Sequence, residues 1–149
     1  LSVEGKGMAG VPGIAARVFT ALAQERISVT MISQSSSEAT ICLAIRNGQV
    51  DTAESALKRE FRAELTRGDV DEVVVVRDVG LVAAVGLGMA HTPGVAARVF
   101  AALAGEQISV RAIAQGSSEF NITVAVDGPR ADDAVRAVHT AFGLHLGNG

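Results

Sequence analysis

Two short polar segments of the sequence carry groups that could bind a small polar molecule. Residues 33–38 contain Gln34 followed by three serines and a glutamate, and residues 114–119 contain Gln115 followed by Gly-Ser-Ser-Glu. A glutamine amide offers hydrogen-bond donors and an acceptor, so it can read a hydroxyl, an amine or a carboxylate. The segments indicate either a pair of ligand contacts or, in the alternative interpretation, two polar hairpin turns.

A second pair of segments places Pro-Gly directly before an apolar helical pattern. Residues 10–14 read Gly-Val-Pro-Gly-Ile, and residues 91–95 read His-Thr-Pro-Gly-Val. The first turn of a helix exposes unpaired backbone N–H groups at the positive end of the helix dipole, which suits a carboxylate. Glycine also lets a ligand approach the backbone closely. These segments indicate an anion-binding helix start, although Pro-Gly can also simply begin a helix.

The sequence has no pattern typical of a catalytic or metal site. His91, His139 and His145 have no second ligand at metal-binding spacing. Cys42 has no flanking motif and is expected to pack as a small hydrophobic residue. The glycine pairs within 5–7 and 86–88 lack the rest of a nucleotide-binding motif. We therefore predict that the chain is not an enzyme and holds no cofactor or metal ion.

Composition narrows the class of protein further. The chain has 149 residues, a formal charge of −3 and 48% hydrophobic residues, so it is expected to fold around a core without a nucleic-acid-binding surface. No run reaches the roughly 18–20 apolar residues of a membrane span. A single cysteine favours the reducing cytoplasm. The start at Leu1 and the end just past a helical pattern suggest a piece of a longer protein.

The elements that must position these segments occur twice. A shift of 81 positions superimposes the sequence on itself without a gap, for example residues 15–19 on residues 96–100, both Ala-Ala-Arg-Val-Phe. Such a match indicates duplication of one unit. We therefore predict two domains, residues 1–78 and 79–149.

Apolar periodicity gives the order of elements within one unit. Ile14, Val18 and Leu22 have helical spacing, as do the apolar residues of 50–61. Residues 27–34 alternate as a strand, with Ile27, Val29 and Met31 on one face and Ser28, Thr30 and Ile32 on the other. With strands near 1–7, 40–45 and 70–76, the fold class is α+β: ferredoxin-like βαββαβ units, each an antiparallel four-stranded sheet with two helices on one face.

Two features of this arrangement bear on partners and on the ligand. The second copy ends before its counterpart of strand 70–76. The helix-free face carries small uncharged residues such as Cys42 and Thr123, which indicates contact with another domain or chain. In this topology the start of the first helix and the end of the second strand can lie together at one end of a unit, so the two polar segments are expected to form one pocket.

The motifs of both copies, taken in order, resemble those of a known family. In the first copy they are Gly-Met at 7–8, PGIAARVF at 12–19, ISV at 27–29 and ISQSSSE at 32–38; in the second, GLGM at 86–89 and IAQGSSEFNI at 113–122. They resemble the paired ACT domains that regulate aspartate kinases. The likeness covers essentially the whole chain and is strongest to threonine-sensitive members, including bifunctional aspartokinase–homoserine dehydrogenases.

The resemblance implies a feedback-regulatory region that binds an end-product amino acid, follows an N-terminal aspartate kinase domain and forms a homodimer through its ACT units. Gln34 and Gln115 resemble ligand-contacting glutamines of threonine-sensitive relatives, whereas Thr30 stands where lysine-sensitive relatives tend to carry an acidic residue. Threonine is therefore the expected effector. A lysine-sensing region and a ligand-free dimerisation module are the alternatives.

The family pattern also implies which residues contact the effector. Backbone groups at the helix start and the second strand would hold the amino-acid carboxylate and amine, and the glutamines would add side-chain contacts. The implied residues are Gly13, Ile14, Ala15, Ile32, Gln34, Ser36 and Ser37 in the first copy and Gly94, Val95, Ala96, Ile113, Gln115, Ser117 and Asn121 in the second.

Overall fold

A computed structural model of the chain describes residues 1–34, 37–89, 91–116 and 121–144. The chain divides into two units, the first spanning Leu1–Arg77 and the second beginning at Asp78. Each unit packs helices against an antiparallel sheet, which confirms the predicted α+β, ferredoxin-like fold class.

The first unit has the predicted order of strands and helices. Its elements are β1 (Ser2–Glu4), α1 (Ile14–Gln24), β2 (Val29–Gln34), β3 (Thr40–Ile45), α2 (Val50–Glu60), α3 (Arg62–Arg67) and β4 (Glu72–Val74). The four strands form one sheet in the order β2-β3-β1-β4, with antiparallel pairing throughout. The predicted second helix is divided at Phe61, and the last strand is shorter than residues 70–76.

The core of the first unit lies between the sheet and the helices. The stripe of Ile14, Val18 and Leu22 on α1 is buried, as helical spacing predicts. Leu57 of α2 and Phe61 at the junction of α2 and α3 are fully buried in the same cluster. Burial of large apolar side chains such as these is the dominant stabilising term of the fold, and it fixes α1 over the sheet.

Within the described residues, the second unit repeats this arrangement with one strand fewer. Its elements are β5 (Val79–Val85), α4 (Val95–Gly105), β6 (Ala112–Gln115), β7 (Asn121–Asp127) and α5 (Ala131–Ala141). Its described strands form an antiparallel sheet in the order β5-β7-β6. β5 corresponds to β1, and within the described residues no strand takes the place of β4, as the sequence predicts.

A β-bulge in β2 overturns one detail of the predicted alternation. Val29 pairs with Ile45, but from Met31 onward the register shifts by one, so that Gln34 pairs with Ile41. A bulge inserts one extra residue and reverses the faces of the residues that follow it. Directly paired residues share a face, and Ile41 is in the core. Gln34 therefore faces the helix side of the sheet, where strict alternation from Ile27 would have turned it away.

The helix-free face holds the small residues that the sequence placed there. Thr40, Cys42 and Ala44 are half-buried, Asn121 is exposed and Ala125 is buried. No helix among the described residues is long and apolar enough to cross a membrane.

Candidate ligand-binding clefts

In the first unit, a cleft of about 380 Å³ lies between the start of α1 and the end of β2. Gly13, Ile14 and Ala15 line it from the helix, and Gln34 lines it from the strand. The remaining lining residues are Met8, Gly10, Val11, Pro12, Glu38 and Ile41. The structure thus brings together the two polar segments that the sequence singled out.

The second unit has a corresponding cleft of about 460 Å³. Gly94, Val95 and Ala96 line it from α4, and Gln115 lines it from β6. The other lining residues are Met89, His91, Thr92, Pro93 and Ile122. Because Gln115 pairs with the core residue Ile122, its side chain faces the helices, as that of Gln34 does.

Both clefts end on an uncapped helix start. Gly13 has φ 89° and ψ −2°, and Gly94 has φ 89° and ψ −3°; neither helix has a side-chain cap. The first intrahelical bond of α1 runs from the Arg17 N–H to the Gly13 carbonyl at 3.0 Å. The preceding N–H groups of the first turn have no partner within the helix. They lie at the end of α1 that lines the cleft and are suited to bind a carboxylate.

Glu38 gives the first cleft a negative charge. Its Oε2 accepts a hydrogen bond of 2.9 Å from the Gly10 N–H, which ties the β2–β3 turn to the loop before α1. In the second cleft, the position of Gly10 is occupied by His91, which lines the cleft with a left-handed backbone at φ 58°. The two clefts therefore share their helix start and glutamine, and His91 in the second cleft replaces Gly10 of the first.

The other sequence-predicted site residues do not line the clefts in the described structure. Ile32 and Ile113 lie two residues before the glutamines and are 49% and 46% exposed. Ser37 is exposed in the β2–β3 turn, and Asn121 is exposed at the start of β7. Ser36 and Ser117 fall outside the described residues.

Sequence reasoning left some lining residues unassigned, although signals for them were present. Met8 and Met89 belong to the duplicated Gly-Met motif, and both contribute apolar wall. Glu38 belongs to the polar segment of residues 33–38, but its approach to Gly10 depends on the folded turn. Among the described residues, no group of three His, Cys, Asp or Glu side chains could hold a metal ion.

Comparison with known proteins identifies the family. A family model described as ACT domain matches residues 1–61 and residues 82–142, one match in each unit. The chain belongs to the ACT-domain family. The two matches cover both clefts, including the start of the first helix and the second strand of each ACT unit.

Similar proteins show in which kind of enzyme this pair of ACT domains occurs. The chain is 46% identical over 144 residues to the bifunctional aspartokinase/homoserine dehydrogenase 1, chloroplastic, of Arabidopsis thaliana, covering 97% of this chain and 16% of that protein. The ligand-free regulatory subunit of aspartate kinase from Thermus thermophilus is 34% identical with a TM-score of 0.78, covering 95% of this chain and 90% of that one. This tandem ACT chain thus corresponds to the regulatory region of aspartate kinases.

A third relative was solved with small molecules bound. Aspartokinase III of E. coli in complex with lysine and aspartate (T-state) is 30% identical with a TM-score of 0.68, covering 93% of this chain and 29% of that one. The chain therefore spans a minor part of its full-length relatives and nearly all of an isolated regulatory subunit.

Proposed function

We propose that this ACT chain is an allosteric feedback sensor of an aspartate kinase and that its effector is threonine. One observation carries the proposal: in each unit, an uncapped helix start and a glutamine from the neighbouring strand line the same cleft. A free amino acid has both groups that this pairing recognises, a carboxylate for the helix N–H groups and a polar side chain for the amide.

The first cleft offers a contact for each part of a threonine molecule. The α-carboxylate binds the free N–H groups at the start of α1, near Ile14 and Ala15. The side-chain hydroxyl exchanges a hydrogen bond with the Gln34 amide. The ammonium group lies toward the Glu38 carboxylate, since a charged pair strengthens a hydrogen bond. Met8 and Ile41 supply the apolar wall for the methyl group.

Lysine is the second candidate effector. Its side-chain ammonium needs a carboxylate partner, and Thr30 and Arg111, at equivalent positions of the two second strands, provide none. Glu38 and its counterpart Glu119 favour lysine, and the similar E. coli enzyme has lysine in its complex. We favour threonine because a glutamine lines each cleft, Gln34 the first and Gln115 the second. Glu119, the counterpart of Glu38, lies outside the described residues.

The rest of the proposal concerns the protein that contains this chain. An aspartate kinase domain precedes the ACT units and performs the catalysis, while the units bind effector without catalysing a reaction. The ACT units associate as a homodimer in the cytoplasm. Effector binding changes the activity of the kinase domain through a coupling free energy, for which about 1–3 kcal/mol is typical.

Calorimetric titration with threonine and with lysine tests the proposal, using Gln34→Ala, Gln115→Ala and the double variant. Loss of one amide hydrogen bond costs about 0.5–1.5 kcal/mol, so each single variant is expected to weaken binding at its own cleft about two- to tenfold. Gln24→Ala is the matched control, because Gln24 is exposed at the opposite end of α1.

The outcomes separate the candidate functions. Threonine binding that is weakened in the glutamine variants and unchanged in the control supports the sensor and the site. Unchanged affinity in the double variant contradicts the site. A stable dimer that binds neither amino acid supports the dimerisation module instead.

A further inference from the structure

Arg17 joins the start of α1 to the junction of α2 and α3. Its Nε donates to Glu60 Oε1 at 2.7 Å, one terminal nitrogen donates to Glu64 Oε1 at 2.6 Å, and the other donates to the Glu60 carbonyl at 2.9 Å. The guanidinium also lies over the Phe61 ring, 4.6 Å from its centroid. All three nitrogens are thus engaged by one short segment, and that segment is anchored by the fully buried Phe61.

The corresponding arginine of the second unit makes a weaker connection. Arg98 donates to the Ala141 carbonyl at 2.6 Å and lies over Phe142, 4.4 Å from the ring centroid. The backbone and ring contacts are therefore repeated. The contact with a carboxylate is not repeated, because Ala141 occupies the position of Glu60. No described carboxylate pairs with Arg98. The same helix start is held by two ion pairs in one unit and by none described in the other.

The Arg17 cluster is poorly suited to serve stability alone. Glu64 Oε2 is buried without a hydrogen-bond partner among the described residues, and an unsatisfied buried polar atom costs free energy. Ion pairs that are partly withdrawn from water contribute little net stability, because desolvation offsets their attraction. The cluster does fix the orientation of the first turn of α1, because a planar guanidinium with all its nitrogens engaged has little freedom to rotate.

That helix turn forms the wall of the first cleft. Arg17 lies in the first turn of α1, and its own N–H bonds to the Gly13 carbonyl. Gly13, Ile14 and Ala15 line the cleft. A shift of the arginine would therefore shift the N–H groups that receive the ligand.

We propose that Arg17 is a positioning residue that, through Glu60 and Glu64, holds the start of α1 in its ligand-binding orientation, so that the first cleft binds effector more tightly than the second. This inference rests on the proposed function, because it assumes that the clefts bind an amino acid. It also makes the α2–α3 junction the part of the first unit that senses occupancy of the cleft.

We call Arg17 with Glu60 and Glu64 the clamp. Hydrogen exchange of the ligand-free chain tests whether the clamp holds the start of α1, without reference to ligand binding. Arg17→Gln is expected to speed exchange of the amides of residues 17–19 roughly fivefold or more, the lower end of typical coupling effects. Arg59→Gln is the matched control, because Arg59 joins the same two helices at the other end of α1 through a 2.7 Å pair with Glu25. Uniform acceleration across the first unit in both variants would show a merely structural role and overturn the proposal.

Two further variants make the test independent of a folding defect. Arg17→Lys keeps the charge but cannot engage both carboxylates and the Glu60 carbonyl together, so it should give exchange intermediate between wild type and Arg17→Gln. Ala141→Glu supplies the missing carboxylate in the second unit and should slow exchange of residues 98–100. If Ala141→Glu leaves that exchange unchanged and Arg17→Lys behaves as wild type, the clamp does not position the helix.

Threonine titration completes the test. Arg17→Gln is expected to weaken binding at the first cleft at least about fivefold, with Arg59→Gln unchanged. If wild type binds neither threonine nor lysine, the proposed function fails, and the exchange measurements still decide whether the clamp exists. If wild type binds threonine and Arg17→Gln binds equally well, the positioning role is wrong while the proposed function stands.

Discussion

Replacement of Gly13 by alanine isolates the backbone strain at the start of the first cleft. The φ of 89° at Gly13 lies in a region that a side chain disfavours. Non-glycine residues with positive φ in this chain lie lower, as at Arg26 with 56° and Gln107 with 55°. A Cβ built on Gly13 meets no atom within 4 Å, so no steric clash adds to the strain. The cost is therefore that of the conformation alone.

The expected loss of stability in Gly13→Ala is therefore the cost of a positive φ alone. A non-glycine residue held in the left-handed region costs about 1–2 kcal/mol. For a domain of roughly 60–100 residues, each kcal/mol lowers the midpoint of thermal unfolding by about 4–8 °C, and the first unit spans Leu1–Arg77. If Gly13→Ala instead relaxes the strain by moving the start of α1, threonine binding at the first cleft should weaken.

Thermal and urea unfolding of Gly13→Ala and Gly48→Ala provide the measurement. Gly48 also has open space around a built Cβ, but its φ lies outside the left-handed region. Gly48→Ala should therefore be neutral or slightly stabilising, because alanine reduces the entropy of the unfolded chain. Equal unfolding free energies for the two variants would refute the argument from φ.

Two further predictions concern the core and the ion pairs of the first unit. Phe61→Ala removes a fully buried ring and is expected to lower the free energy of unfolding by about 3–5 kcal/mol; a loss below about 1 kcal/mol in urea unfolding would contradict its core role. The hydrogen bond from Arg17 holds the pKa of Glu64 below its usual value of 4.5. A depressed folded-state pKa adds stability that is present above the unfolded-state value and lost as the pH falls through the folded-state value. The stability difference between wild type and Glu64→Gln should therefore shrink below about pH 4.5, and a difference independent of pH would contradict it.

The sequence by itself determined the duplication, the fold class and the helix faces. Helical spacing is a local property, so the buried stripe of Ile14, Val18 and Leu22 could be predicted without knowledge of the partner elements. The two polar segments were also local, and the expectation that they meet followed from the order of strands and helices. Because of the repeat at 81 positions, each of these patterns occurs in both units and each prediction has two independent instances.

Tertiary structure alone decided which groups enter the first cleft. The face of Gln34 depends on a bulge in its pairing with β3, and strand register is set by contacts between strands rather than within one. Glu38 reaches the Gly10 N–H across 28 residues of chain, and Arg17 reaches Glu64 across 47. Such contacts arise only after loops have closed and helices have packed, and no periodicity in the sequence encodes them.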